Sequence, residues 1–563
     1  MRKRFLLLLA ALIVLAGCGK RTEDKTAGET PAVLSMETLN SALTPVAPED
    51  KFRTTYEVFV YSFADSDGDG IGDLAGLRSK LDYINSGDLA DRTSLGCTSL
   101  WLMPVFPSPT YHKYDVTDYR AIDPQYGTME EFRALLEDCH ARGMTLILDL
   151  AVNHTSVEHP WFAAVSEYLR NHHPQAGEDS LSLWTEEDLE ECPYLDYYNF
   201  RTEAGNGYAQ LPGTEYFYEC RFWEGMPDLN LDCGAVREEI RDIARFWLEM
   251  GVDGFRLDAV TSYYTESGED SIRFLTWFNE AVKSIKPDAY LVGEAWENQQ
   301  VYARYYASGI DSLFDFGFAG QDGIIAGTVK GSRGADSFAA ALEDEEALYA
   351  SAAPDGCTAV NAPFYTNHDM ARSAGYYAYD DGSKTKLAEG LNLLMTGNAF
   401  LYYGEELGMK GSGRDENKRA PMYWTADPES PDAEYLCAGP PEMEEVKMKF
   451  PALDEQAGDE LSVWNYCRNA VRIRNSFPSV ARGRTEVIES LTDKNVCVFT
   501  RDSVLIAVNT REEPAAVSLD ADPAAEGYRS LAAMLTTGEE PVELSGAELT
   551  LPGYGIAVIT KSE

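Results

Sequence analysis

The chain is poor in basic residues and lacks the motifs that bind nucleotides or zinc. Its 563 residues include only 47 Lys and Arg against 93 Asp and Glu. Such an acidic surplus disfavours binding to nucleic acids and to anionic polysaccharides. There is no CxxC or Cys/His spacing of a zinc site, and no Rossmann or P-loop glycine pattern supports a nucleotide. We therefore expect no nucleic-acid partner and no nucleotide cofactor.

The ten cysteines lack the spacing of a disulfide framework. Cys97, Cys139 and Cys467 lie among apolar residues, which predicts small buried side chains. The sequence does not decide whether two of the remaining cysteines pair. The candidates for such a pair are Cys192, Cys220 and Cys233.

We expect the N-terminus to be a targeting signal rather than part of the fold. Three basic residues precede an apolar run at residues 5–15, which is shorter than the ~20 residues needed to span a membrane. Residues 15–18 (LAGC) resemble a bacterial lipobox, so we expect residues 1–18 to be a lipoprotein signal and Cys18 to be lipidated. The alternative is a plain signal peptide with an incidental cysteine. Residues 19–50 are rich in Thr, Ala, Glu and Pro, which predicts a flexible tether to the outer face of the bacterial membrane.

Helix and strand patterns alternate between residues 51 and 482. A capping box at Thr128 and Glu131 opens one helix, and Gly143 ends it before a strand at residues 145–150. Two further helix–strand units precede residues 258 and 294. Such alternation predicts a parallel sheet with helices outside it. From residue 483 to 563 short β-like runs replace this pattern and predict an antiparallel β-sandwich domain.

Four apolar segments run directly into acidic, amide or imidazole side chains. They are residues 146–154 (LILDLAVNH), 254–258 (GFRLD), 291–294 (LVGE) and 364–369 (FYTNHD). Each places polar groups at the C-terminal end of a buried strand, where a (β/α)8 barrel carries its active site. Together the four segments resemble the signature of glycoside hydrolase family 13, the α-amylase family. The resemblance implies a TIM barrel.

By this resemblance Asp258 is the nucleophile, Glu294 the acid/base and Asp369 a third carboxylate that grips the sugar. Retaining hydrolysis requires two carboxyl groups roughly 5–5.5 Å apart. Neighbouring strands lie about 4.8 Å apart, so carboxylates that end adjacent strands meet this requirement. Arg256 would stabilise the ionised nucleophile.

The resemblance also implies a set of sugar-binding residues around subsite −1. Tyr114 would stack under the sugar ring, and Asp115 would bind its distal hydroxyl groups. Arg419 matches an arginine that pairs with this aspartate in relatives, and Arg414 competes for that role. The complete set is Tyr114, Asp115, His154, Arg256, His368 and Arg419.

The alternation of helix and strand fails between residues 154 and about 223. The family inserts a separate domain B here, after the third barrel strand. Several aromatic side chains in this stretch are candidates for stacking on glucose rings, although core packing is the commoner role for each of them. They are Trp161, Trp184, Tyr197, Tyr198 and Trp223.

Residues 65–73 (DSDGDGIGD) place carboxylates at alternate positions around Gly70, as in the first half of a calcium loop. Gly76 stands where an EF-hand has its Glu, which excludes that motif. The segment is similar to a short calcium loop of many family members, and a metal-free acidic turn is the alternative. The expected Ca2+ ligands are Asp65, Asp67, Asp69, the carbonyl oxygen of Ile71, and Asp73.

Residues 226–230 (MPDLN) combine features of the neopullulanase and oligo-1,6-glucosidase types, which suggests an intermediate group dominated by α-amylases. We therefore expect a monomeric hydrolase that cleaves internal α-1,4 bonds of starch or maltodextrin. An α-glucosidase or transglycosylase acting on short malto- or isomalto-oligosaccharides is the alternative. A non-catalytic glycan-binding surface protein would normally have lost one of the three carboxylates, and all three are present.

Overall fold

The computed structural model describes residues 34–172, 183–264 and 267–562. The predicted signal with Cys18, and residues 19–33 of the predicted tether, lie outside the described residues. No helix in those ranges combines the length and apolar character needed to cross a membrane.

The strands of the described residues, in chain order, are β1 (Thr54–Val58), β2 (Ser99–Leu102), β3 (Thr145–Leu150), β4 (Phe200–Arg201), β5 (Tyr208–Gln210), β6 (Phe217–Glu219), β7 (Gly254–Leu257), β8 (Tyr290–Gly293), β9 (Ser312–Phe314), β10 (Val360–Ala362), β11 (Ala399–Tyr402), β12 (Thr485–Val487), β13 (Val496–Arg501), β14 (Val504–Asn509), β15 (Ala515–Ser518), β16 (Tyr528–Leu535), β17 (Glu543–Ser545), β18 (Glu548–Leu551) and β19 (Ile556–Lys561). The α-helices are α1 (Met36–Ser41), α2 (Leu74–Ser79), α3 (Leu81–Ile84), α4 (Met129–Ala141), α5 (Pro160–Asn171), α6 (Glu186–Glu191), α7 (Gly234–Met250), α8 (Gly268–Ile285), α9 (Gln299–Tyr302), α10 (Ile324–Lys330), α11 (Ala335–Ala352), α12 (Ser383–Leu393), α13 (Asp415–Lys418), α14 (Leu453–Gln456), α15 (Val463–Ser476) and α16 (Pro478–Arg482).

Eight strands form one parallel sheet in the order β10-β9-β8-β7-β3-β2-β1-β11. Its two ends meet, because Asn398 donates its backbone N–H to Asn361 O and Phe400 donates to Pro363 O, both at 2.8 Å. The sheet therefore closes into the predicted (β/α)8 barrel. All the polar strand ends lie at one rim of this barrel.

The capping box and the helix-ending glycine that the sequence indicated form the expected local structures. Thr128 and Glu131 form both hydrogen bonds of the capping box at the start of α4. Gly251 ends α7 with φ 116°, a left-handed conformation that glycine adopts without strain. The chain then enters β7, which delivers residue 258 to the rim.

Domain B contains a small antiparallel sheet in the order β4-β6-β5. Four of the five aromatics predicted as stacking candidates are buried and pack against aromatic rings of this region rather than facing solvent: Trp161, Trp184, Tyr197 and Tyr198. Only Trp223 is exposed, at 47%. The pattern of aromatics therefore marked the core of domain B, because a small domain needs bulky side chains to exclude water.

The C-terminal region forms two antiparallel sheets, β12-β13-β14-β19-β16 and β15-β18-β17. This confirms the predicted C-terminal β domain. Cys97, Cys139 and Cys467 are buried as predicted. The three candidates for a disulfide pair are all free thiols: Cys192, Cys220 and Cys233.

The tether was predicted for residues 19–50, but the later part of this range belongs to the fold. Residues 36–41 form α1, which packs against α15 and β16. The buried Glu37 carboxylate accepts two hydrogen bonds from Arg468 Nη2 at 2.8 Å. Asn40 donates to Met534 O at 2.8 Å. A segment with a buried ion pair and backbone contacts is part of the fold, although its composition is that of a linker.

Candidate active site

Asp258 and Glu294 directly follow the neighbouring strands β7 and β8. Their preceding residues, Leu257 and Gly293, are register partners in the parallel sheet. Because parallel neighbours lie about 4.8 Å apart, the two carboxyl groups emerge side by side at the rim. Both are buried, with 8% and 6% of their surface exposed.

Arg256 links the two carboxylates through one guanidinium group. Its Nη1 lies 2.7 Å from Asp258 Oδ1, and its Nη2 lies 2.8 Å from Glu294 Oε2. The same Nη1 lies 2.8 Å from Asp149 Oδ1, at the end of β3. Glu294 Oε2 also accepts the backbone N–H of Ala259 at 3.1 Å. Adjacent guanidinium nitrogens thus hold the two carboxylates next to each other.

Burial, together with the negative charges of Asp258 and Asp369, raises the pKa of Glu294 to about 7, against the opposing effect of Arg256. Near neutral pH this carboxyl group exists in both protonation states. Two neighbouring carboxyl groups in different environments can provide a proton donor and an anionic group for one reaction.

Asp369 lies between two cationic side chains. Arg419 Nη2 donates to its Oδ1 at 2.7 Å, and His368 Nε2 lies 3.1 Å from its Oδ2. Burial alone would raise the pKa of Asp369, but these two partners hold it well below its ordinary value. Asp369 is thus kept as an anion at the rim.

The expected pairing of Arg419 with Asp115 is wrong. Arg419 binds Asp369 and the hydroxyl group of Tyr111, at 3.0 Å. Asp115 instead accepts hydrogen bonds from Ser108 Oγ at 2.6 Å and from Thr110 Oγ1. The loop that carries Asp115 therefore satisfies this carboxylate internally. The competitor Arg414 lies at the surface and pairs with Glu442.

Tyr114 and His368 pack face to face, with ring centroids 5.7 Å apart and planes inclined by 16°. The Tyr114 hydroxyl group donates to Asp149 at 3.0 Å and lies 2.8 Å from His368 Nε2. Burial opposes the charge on His368, but the carboxylates of Asp369 and Glu57 on its two nitrogens raise its pKa to about 10. This network fixes the Tyr114 ring beside the carboxylates.

His154 is buried at the junction of the barrel with domain B. Its Nε2 lies 3.2 Å from Tyr114 O, and its ring packs against the half-exposed Phe222 at 5.3 Å. A side-chain hydrogen bond also crosses this junction: Asn153 Nδ2 donates to Asp228 Oδ1 at 3.1 Å. Asp228 belongs to the MPDLN segment, so that motif holds domain B onto the rim.

The structure thus places the three carboxylates, Tyr114, His154, Arg256, His368 and Arg419 in one connected site. Sequence reasoning missed Glu57, in the middle of β1, and Asp149, near the end of β3. Both are buried acidic residues that hold His368 and Arg256 in position. The available signal was a single charged residue inside a strand that has no other charge.

Three carboxylates of the predicted calcium loop cluster, with ligand atoms of Asp65, Asp67 and Asp73 within 4.8 Å of one another. Asp69 is outside this group and accepts the Ile71 N–H at 2.7 Å. Among the described residues, no Lys or Arg forms an ion pair with the three clustered carboxylates. A group of carboxylate oxygens without a cationic partner suits a hard cation.

The chain matches the catalytic domain of α-amylases over residues 57–483. It therefore belongs to the α-amylase family. It is 39% identical to "Alpha-amylase 3" of Dictyoglomus thermophilum over 79% of this chain and 81% of that protein. The solved structure of "Eubacterium rectale Amy13B" is similar, with a TM-score of 0.86 and 45% identity over 94% of this chain and 99% of the other. A more distant relative is the "Oligo-1,6-glucosidase" of Heyndrickxia coagulans, 27% identical over 82% of this chain and 92% of that protein.

Proposed function

We propose that this protein is a retaining glycoside hydrolase that cleaves internal α-1,4 bonds of starch and maltodextrin. The observation that carries the proposal is the Arg256 guanidinium group, which holds Asp258 and Glu294 side by side at the rim. The similarity to the α-amylase of Dictyoglomus thermophilum supports the choice of substrate.

In the first step the Asp258 carboxylate attacks the anomeric carbon and forms a glycosyl ester. Protonated Glu294 gives its proton to the glycosidic oxygen, so the bond to the leaving chain breaks and a free hydroxyl group results. The raised pKa of Glu294 provides this proton near neutral pH. Arg256 stabilises the anionic nucleophile before the attack.

In the second step the Glu294 carboxylate, now deprotonated, takes a proton from water. The resulting oxygen attacks the anomeric carbon, the ester bond breaks and the Asp258 carboxylate is regenerated. Two displacements restore the original α configuration. Asp369 would accept hydrogen bonds from the sugar hydroxyl groups, and the fixed Tyr114 ring would stack against the sugar in subsite −1. His368, whose two nitrogens contact Glu57 and Asp369, would hold Asp369 in position.

The test is a product time course on amylose, pullulan and isomaltose, with proton NMR of the fresh hydrolysate. We expect maltodextrins of mixed length from amylose, with the α-anomer appearing first. A β-anomer as the first product would exclude the double displacement. Release of glucose alone from chain ends would exclude internal cleavage.

The second candidate is an α-glucosidase or transglycosylase that acts on short oligosaccharides. The relationship to the oligo-1,6-glucosidase of Heyndrickxia coagulans favours it. The same time course, extended to maltotriose, separates the two candidates, because such an enzyme would act on isomaltose or maltotriose faster than on amylose.

We also propose that Asp65, Asp67 and Asp73 hold a calcium ion that stabilises the fold. The clustering of these carboxylates supports the site, and Asp69 would not be a direct ligand in this arrangement. Asp73 is also the N-cap of α2, where its Oδ1 accepts the Gly76 N–H at 2.7 Å. The ion would therefore stiffen the start of this helix and would take no part in bond cleavage.

For location we propose a lipid anchor at Cys18 that holds the enzyme on the outer face of the bacterial membrane. The LAGC segment after a short apolar run supports it. Replacement of Cys18 by Ser should move the protein from the membrane fraction to the soluble fraction or leave it unprocessed, because acyl chains supply about 0.8 kcal/mol per buried CH2. Unchanged membrane association with normal processing would refute the anchor.

A further inference from the structure

Lys113 is a buried basic residue next to the active site. Only 1% of its surface is exposed, and it directly precedes Tyr114 in the loop between β2 and α4. Its backbone lies in the left-handed region, with φ 65°. Lysine rarely adopts this conformation, because the Cβ atom then approaches the following carbonyl oxygen. Such a strained residue persists only where the surrounding contacts compensate for the strain.

The ammonium group of Lys113 has a partner for each of its three N–H donors. Its Nζ lies 2.7 Å from Asp123 Oδ2, and it donates to Gln125 Oε1 at 2.6 Å and to Ser108 O at 3.4 Å. Asp123 is also buried, and its backbone N–H donates to Val105 O at 2.8 Å, shortly after the end of β2. The lysine side chain therefore connects the strained residue to the wall of the barrel.

Tyr114 lies between two residues whose side chains are held by the protein. Lys113 precedes it, and Asp115, which accepts from Ser108 Oγ at 2.6 Å, follows it. The Tyr114 ring is partly exposed at the rim and packs on His368, with centroids 5.7 Å apart. Because the direction of a side chain follows from the backbone dihedrals before it, a change of φ at residue 113 would turn the ring out of this stack.

We propose that Lys113 is a positioning residue for Tyr114. The buried ion pair with Asp123 holds the backbone of residue 113 in the left-handed region, and this backbone directs the Tyr114 ring toward the sugar. The place of the ring in subsite −1 rests on the proposed function. Lys113 acts through Tyr114 and not on the substrate, because all of its N–H donors bind protein oxygens.

The first experiment compares Lys113→Met with Lys113→Gly. Both variants lose the ammonium group and leave Asp123 without its cation, but glycine adopts a φ of 65° without strain. We expect Lys113→Met to lower kcat/KM on maltotetraose by at least about tenfold, as a misplaced substrate contact does. Lys113→Gly, although it removes more of the side chain, should lower kcat/KM by only about threefold.

The outcomes of this comparison are distinct. A Lys113→Met protein that does not fold, beside an active Lys113→Gly protein, would support the proposal. Equal losses, a greater loss for Lys113→Gly, or failure of Lys113→Gly to fold would overturn it. Asp502→Met is the control, because Asp502 is also left-handed, with φ 47°, but lies in the turn between β13 and β14. This variant should keep the parent kcat/KM.

A double-mutant cycle separates positioning from general stability. If Lys113 acts through Tyr114, Lys113→Met should cause no further loss of kcat/KM in a Tyr114→Ala background. The same loss in both backgrounds would show that Lys113 acts on the fold as a whole, and the proposal would be wrong.

Hydrogen exchange tests the proposal without substrate. The backbone amides of residues 108–119 should exchange at least about tenfold faster in Lys113→Met than in the parent, and more slowly in Lys113→Gly than in Lys113→Met. Unchanged exchange in Lys113→Met, or faster exchange in Lys113→Gly, would contradict the proposal. If the parent cleaves no α-glucan at all, the proposed function fails, and the order of these exchange rates alone decides whether Lys113 holds the loop.

Discussion

The protonation of Glu294 predicts how the rate of hydrolysis depends on pH. The rise of its pKa from 4.5 to about 7 corresponds to about 3 kcal/mol in favour of the protonated form. A group with this pKa is half protonated at pH 7 and about one-tenth protonated at pH 8. Because the first step needs the proton, kcat/KM on maltotetraose should fall about fivefold from pH 7 to pH 8 and about tenfold per pH unit above that.

A glycosyl fluoride provides the internal control for this prediction. Fluoride leaves without a proton, so the fall in kcat/KM above pH 7 should disappear with maltosyl fluoride while the protein and its fold stay the same. Glu294→Gln should lose at least about a thousandfold in rate on maltotetraose yet still release fluoride in a single turnover. If the same alkaline fall appears with both substrates, the titrating group is not the proton donor, and the assignment of Glu294 is wrong.

Three further predictions concern the nucleophile, the metal and a buried acid. Asp258→Asn should lower kcat by at least about a thousandfold without changing the circular dichroism spectrum, and activity within tenfold of the parent would refute its role. Calcium at a hundred times its Kd should stabilise the parent by about 2.7 kcal/mol in thermal unfolding. Asp67→Asn should lose this stabilisation, whereas Asp69→Asn should keep it because Asp69 lies outside the cluster. Burial raises the pKa of Glu406 from 4.5 to about 7, so its stabilising contribution is present below pH 4.5 and is lost as pH rises through 7. Glu406→Gln should therefore unfold like the parent at pH 4 but be more stable by up to about 3 kcal/mol at pH 8, and an equal difference at both pH values would contradict the shift.

The parts of the site that the sequence predicted depend on local pattern. Asp258 and Glu294 end apolar strands, and in a closed parallel barrel every such end reaches the same rim. Register between β7 and β8 then follows from the fold, which is why two residues 36 positions apart could be assigned as neighbours.

The contacts that sequence reasoning got wrong are set by packing between distant segments. Arg419 reaches Asp369 rather than Asp115 because the 108–115 loop satisfies Asp115 with its own hydroxyl groups. Glu57 was overlooked because strands are predicted from their apolar residues. A single charged residue then counts as an exception to the apolar pattern rather than as a candidate for the active site. The role of this charge is visible only once His368, which lies 311 positions away in the chain, is placed beside it.

The attachment of α1 determines where mechanical load would enter the protein. A pull on the chain before residue 35 reaches the Glu37–Arg468 ion pair first and passes into α15 and β16, at the junction of the barrel and the C-terminal domain. Strand β1 begins at Thr54 and carries Glu57 to the active-site network. Because α1 precedes β1 in the chain, the force would act on the contacts of α1 before it acts on β1. A shortened chain that begins at Ser35 keeps the Glu37–Arg468 ion pair, whereas one that begins at Lys51 leaves the buried Arg468 without its carboxylate partner.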